Sequence, residues 1–141
     1  PTLTCLNEFT LPVRVYYEDT DAGGVVYHAN YLRFMERART EWLRTLGFEQ
    51  DQLARDMGIV FVVAGLEIRY RKPARFNDAL LVSVAMAKTG RTHILFEQKI
   101  SRINTDNSPE LLTTASVKVV CVDLGTFRST TIPTGIRELL Q

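Results

Sequence analysis

The chain has 141 residues, 45% hydrophobic and 23% charged, with a formal net charge of +1. That length suits one domain with a real core, spanning 1–141, and is tight for two. A charge near zero gives no global pull toward nucleic acid or an anionic membrane, so any anion site must come from local clustering.

Val13, Val15 and Tyr17 alternate with Arg14, Tyr16 and Glu18, the period of two of a first strand. An Asp/Gly turn ends it. The main helix is predicted from Asn30 to Leu46, with Asn30 as its N-cap and Gly47 as a left-handed C-cap. Tyr31, Phe34, Met35, Ala38, Trp42, Leu43 and Leu46 recur at three and four and make one apolar stripe. Arg33, Arg37, Thr40, Glu41 and Arg44 fill the other side. A short helical turn from Gln50 to Met57 stops at Gly58.

Four strands are predicted next. From Val60 to Tyr70 the even positions form one apolar face, and Lys72-Pro73 ends the run. Leu80, Val82, Val84 and Met86 mark the following strand. Thr92 to Ser101 is another, with Ile94, Phe96 and Ile100 on one side. After a polar turn at Asn104 to Pro109, Leu111 to Cys121 alternates again. A short helix from Thr134 to Leu140 closes the chain.

No helix separates the later strands, so they pair antiparallel through short turns. The result is an α+β roll, a five-stranded antiparallel sheet wrapped around one long helix. One helix cannot cover so much sheet, and an edge strand is left open, so dimerisation by continuing the sheet is expected. Cys5 and Cys121 show neither a CxxC nor zinc spacing and read as free thiols in a reducing compartment. No signal-peptide pattern and no membrane-length apolar run is present, so a cytoplasmic location is expected.

The stretch from Tyr17 to Tyr31 carries the chemistry. Asp19 and Asp21, the Gly23-Gly24 turn and His28 stand directly before the main helix. A carboxylate beside the positive end of a helix can supply a base or nucleophile while main-chain amides hold a developing oxyanion. Asp next to Gly-Gly is also ordinary turn chemistry. Asp21 is the catalytic candidate with His28 beside it, and amides between Tyr27 and Tyr31 are the oxyanion donors. Tyr27 and Tyr31 are read as substrate-binding, with Phe61 and Val63 as further pocket candidates. Asp19 is read as structural, and His93 as an ordinary histidine. Glu36 and Arg39 are expected to form a salt bridge along the helix.

The segment Tyr16-Tyr17-Glu18-Asp19-Thr20-Asp21-Ala22-Gly23-Gly24-Val25-Val26-Tyr27-His28, with Asn30-Tyr31 and Glu36-Arg37-Ala38-Arg39, resembles hotdog-fold acyl-CoA thioesterases. The similarity is to the YbgC branch of the 4-hydroxybenzoyl-CoA thioesterase superfamily, associated with the Tol-Pal cell-envelope system. It implies hydrolysis of an acyl-CoA thioester without a cofactor, Asp21 as the catalytic carboxylate and His28 in support. It also implies sites at a dimer interface, dimers pairing into tetramers, and a place in the cytoplasm or at the periphery of the inner membrane. Arg69, Arg71, Lys72 and Arg75 form the densest basic cluster, joined by Arg91 and Arg102 from neighbouring strands. Arg71 and Arg91 are the candidates for the CoA phosphates.

Rival readings are weaker. Asp19 to Gly24 opens like a calcium loop, but Gly23 and Asn30 stand where ligands are needed, so no metal is expected. A hotdog dehydratase would set its histidine against an acid from the central helix. A non-catalytic adaptor binding acyl groups or acyl carrier protein is the main alternative to an enzyme.

Overall fold

The computed structural model describes residues 8–139. In chain order it has β1 (Phe9–Arg14), a 3-10 turn (Tyr17–Asp19), α1 (Asn30–Thr45), α2 (Gln50–Met57), β2 (Ile59–Tyr70), β3 (Ala79–Thr89), β4 (His93–Ile103), β5 (Pro109–Asp123) and α3 (Thr134–Leu139). The five strands form one sheet in the order β1-β3-β4-β5-β2, every pairing antiparallel. α1 packs on the concave face against β1 and β3. A sheet curled about one helix is the hotdog architecture expected from the pattern.

α1 forms because its apolar residues fall on one stripe. Tyr31, Phe34, Met35, Ala38 and Leu43 are buried, and Trp42 and Leu46 are partly so. Each fully buried large side chain contributes about 1.5–3 kcal/mol. Gly47 takes φ 93°, which L side chains rarely adopt, and ends the helix. The other end differs from expectation. Ala29, not Asn30, is the N-cap, and no side chain caps the helix. Asn30 is the first helical residue, and its Nδ2 donates to the buried Asp19.

The first strand is shifted too. β1 ends at Arg14, and Tyr17 lies in a 3-10 turn rather than a strand. The amides of Asp19 and Thr20 bond the carbonyls of Tyr16 and Tyr17, closing the turn. Asp19 Oδ2 accepts from Tyr16 N at 2.9 Å. Local side-chain bonding outweighs the alternation there.

β2 carries a bulge that the even-position pattern missed. The register slips between Val63, opposite Val119, and Gly65, opposite Lys118. Leu66 is then opposite Val117. Val117 and Val119 share a face, so Val63 and Leu66 share one also. The concave face of β2 is therefore Phe61 and Val63 before the bulge, and Leu66, Ile68 and Tyr70 after it. Among the described residues β2 pairs only with β5, and Val63, Leu66 and Tyr70 on this edge strand remain exposed.

One core cluster runs through α1, α2, α3 and β2 to β5, with Phe9, Leu11 and Val13 of β1 packed against it. Cys121 is a buried free thiol whose pKa burial pushes up. Cys5 and Leu140 lie outside the described residues. Among the described residues no helix is long and apolar enough to cross a membrane.

Candidate active site

Asp21 sits at the tip of a miniature hairpin. Thr20 bridges Val26, and Asp21 N bonds Val25 O at 2.9 Å. Asp21 Oδ1 accepts from Gly23 N at 2.8 Å, and Gly24 N bonds Asp21 O at 3.0 Å. Gly24 needs its φ of 80°, and a Cβ on Gly23 would stand 3.2 Å from Asp21 Oδ1. The turn reading and the functional reading thus coexist. Oδ1 shapes the turn, while Oδ2 meets no donor among the described residues and faces solvent.

The chain then returns past the hairpin to α1. Val26 N bonds Ala74 O, and Tyr27 N bonds Asp19 O at 2.9 Å. Asn30 N bonds Tyr27 O at 2.8 Å. Of the expected amide donors, those of His28, Ala29 and Tyr31 meet no acceptor among the described residues. They are the open positive end of α1, as at any helix start. Tyr70 of β2 holds this segment by donating its hydroxyl to His28 O at 2.8 Å. No local pattern marks that tether, because it joins residues 42 apart.

The His28 and Tyr27 side chains are exposed, their rings packed at 4.4 Å. Tyr31 is buried at 3% exposure, so within one chain it is a core residue rather than a pocket wall. Its hydroxyl accepts from Ala74 N at 3.0 Å, and its ring packs edge-on against Tyr70. Burial pushes the Tyr31 pKa up, and the nearby charge of Asp21 adds to the rise. Asp19 is structural as expected, 5% exposed and held by Tyr16 N and Asn30 Nδ2.

The basic cluster divides. Arg102 bridges Asp78 at 2.8 Å and Glu110 at 3.0 Å, and Lys72 also pairs with Glu110. Lys72 first, then Arg102, holds the Glu110 carboxyl below its usual range. Those two cations are engaged. Arg71 and Arg75 are exposed and have no carboxylate partner among the described residues. Arg75 also sits beside the hairpin, bridging Val25 through the backbone. Arg91 does not join them in one chain. It lies in the β3–β4 turn, at the other end of β4, about 30 Å away at roughly 3.3 Å per residue.

The expected Glu36–Arg39 ion pair is absent among the described residues. Arg39 Nη1 instead donates to Gln98 Oε1 at 2.8 Å. Beside Arg39 is a cavity of about 280 Å³ that Phe61 and Val63 line as expected. Asp21 and His28 do not line it. His93 packs its ring over Gly90, and a Cβ there would make the imidazole shift.

A helix cradled by this sheet order is the framework of the hotdog thioesterases. The chain belongs to the thioesterase-like superfamily, whose family model matches residues 15–140. Within that superfamily the similarity is to the YbgC branch. The chain is 50% identical to the acyl-CoA thioesterase YbgC of Haemophilus influenzae over 93% of each chain. It is 45% identical to the acyl-CoA thioester hydrolase YbgC of Escherichia coli, covering 91% of this chain and 92% of that one. In fold it superposes on a 4-hydroxybenzoyl-CoA thioesterase solved with 4-hydroxybenzoyl-CoA, with a TM-score of 0.89. That match is 19% identical and covers 96% of this chain and 99% of the other.

Proposed function

We propose that this enzyme hydrolyses acyl-CoA thioesters to free acid and CoA, with Asp21 as base or nucleophile. The observation that carries the reading is a carboxylate oxygen with no donor of its own, on a glycine turn that leads into unpaired helix-start amides. The names of the relatives support the substrate class. Asp21 Oδ2 either takes a proton from water or attacks the thioester carbonyl itself. The amides of His28, Ala29 and Tyr31 receive the oxyanion, each such donor contributing about 3 kcal/mol. The thiolate then leaves without strong acid assistance. His28 supports the reacting groups, and Tyr27 borders the substrate. Thiol release from a panel of acyl-CoAs tests the reading. No turnover with any chain length would leave only the adaptor alternative, with acyl carrier protein as its partner.

A second copy completes the site in this reading. Asp21 lies open in one chain, and the exposed edge of β2 offers apolar Val63, Leu66 and Tyr70. Two copies pairing antiparallel across β2 would continue the sheet, and such dimers would pair into tetramers. Leu66→Lys is expected to shift the assembly to monomer in sedimentation experiments. An unchanged mass would place the interface elsewhere.

Arg71 and Arg75 offer free cations near the hairpin for CoA phosphates. The same β2 pairing would bring the partner's Arg91 toward the Arg71 end of the first copy. Arg71→Ala is expected to raise KM about tenfold for an acyl-CoA and little for the matching acyl-pantetheine. Equal effects on both would remove Arg71 from the phosphate site. A Tol-Pal setting and a place at the cytoplasmic face of the inner membrane complete the proposal. Cross-linking in fractionated cells tests both.

A further inference from the structure

We propose that the cavity beneath α1 holds the far end of the acyl group, and that Arg39 selects acyl groups bearing a hydrogen-bonding oxygen there. The inference rests on the hydrolase reading and on its β2 pairing, and goes on to name the substrate class.

The cavity is walled by Trp42, Phe61, Val63, Ile94, Phe96 and Val119. Its volume is about 280 Å³. Such a volume fits a compact acyl group. Its position fits as well. Tyr70, at one end of β2, tethers the reaction loop through His28 O. Phe61 and Val63, at the other end, border the cavity. A two-fold axis near Leu66 would set the Tyr70 end of one chain beside the Val63 end of its partner. The cavity of one copy would then lie beside the reaction loop of the other.

The polar end of this cavity needs an explanation. β4 sends Ile94, Phe96 and Ile100 inward, and Gln98 interrupts that apolar row at 1% exposure. A buried amide is costly unless its bonds are met. Gln98 Nε2 donates to Met35 O at 3.1 Å and Ser83 O at 3.3 Å. Those two carbonyls fix the amide so that Oε1 faces Arg39, which donates to it at 2.8 Å. The guanidinium is thus aimed by a fully bonded core residue.

Arg39 has five N–H donors, and only the bond to Gln98 is met among the described residues. Among the described residues no carboxylate lies within ion-pair distance of Arg39, and burial lowers its pKa, with Glu36 acting only from a distance. A hydrocarbon tail filling the cavity would strip water from those donors and leave them open, which disfavours it. An oxygen at the tail would accept them. A hydroxyl could also donate to Glu36 at the cavity mouth, whereas a carboxylate would use Arg39 alone.

The test compares hexanoyl-CoA with 6-hydroxyhexanoyl-CoA and adipoyl-CoA on the wild-type enzyme. At least one oxygen-terminated substrate is expected to exceed hexanoyl-CoA in kcat/KM by about tenfold or more. Which of the two leads separates hydroxyl from carboxylate recognition. Arg39→Met should bring the ratio to about one by slowing the oxygen-terminated substrate while hexanoyl-CoA turnover persists. The ratio is read within one enzyme sample, so a change in folded fraction cancels. As a second variant, Phe61→Trp should fill the cavity, slowing all three substrates but not acetyl-CoA. A wild-type preference for hexanoyl-CoA, or a ratio untouched by Arg39→Met, overturns the proposal while leaving the hydrolase intact. Absence of turnover with every substrate, acetyl-CoA included, removes both.

Discussion

Asp21→Asn is expected to lower kcat/KM about a thousandfold for any acyl-CoA that the enzyme turns over, within the range for losing a general base. The turn should survive, since the Asn side-chain oxygen can still accept from Gly23 N as Asp21 Oδ1 does. The position is exposed, so the melting temperature should move by no more than about 2 °C. What disappears is the charge and the basicity of Oδ2. The helix-start amides remain, so a residual rate above the uncatalysed reaction is expected. Activity within tenfold of wild type would show that another group takes the proton. Single turnover in heavy-oxygen water then separates the routes: label in Asp21 itself means a covalent intermediate, and label only in the product means activated water.

The fold was legible because its signals are periodic. The stripe of α1 and the alternation of β3 and β5 follow from side chains on one face meeting one core. The misplacements come where hydrogen bonding, across the sheet in β2 and within a local turn after β1, overrides the hydrophobic pattern. The β2 bulge shifts the apolar face from odd to even positions midway, and a string of Val and Ile reads the same either way. β1 ends early because Asp19 closes a turn on Tyr16.

The candidate site was legible where its members are close in sequence and not at its supports. Asp21, His28 and the unpaired amides follow from a short segment, with every member close in sequence. The tether from Tyr70 to His28 and the pairing of Arg39 with Gln98 join residues 42 and 59 apart. Nothing local marks them. Gln98 did leave a trace, as a polar residue in an otherwise apolar inward row of β4. The basic cluster was over-read because Asp78 and Glu110 fold back onto Arg102 and Lys72. Exposed charges of both signs usually find each other, and what remains free is only visible after folding.

Asp19→Ala is expected to cost about 3–5 kcal/mol of stability, the largest loss from any single substitution in the reaction loop. Two charge-assisted bonds go at once, Tyr16 N to Oδ2 at 2.9 Å and Asn30 Nδ2 to Oδ1 at 2.8 Å. Both donors are left behind, and the Asn30 amide has no water to turn to at 8% exposure. The melting temperature should fall by roughly 9–20 °C, at about 3–4 °C per kcal/mol for a chain of this size. Function should fall further than folding. Tyr27 N is held by Asp19 O, so loosening this turn releases the segment that aims the His28 and Ala29 amides. Folded Asp19→Ala enzyme, assayed well below its melting point, should therefore lose kcat with little change in KM. Asp19→Asn can keep one of the two bonds and should recover about half of the lost stability. A wild-type melting temperature for Asp19→Ala would mean that Asn30 and Tyr16 find other partners. The buried acid would then not be what ties the reaction loop to the head of α1.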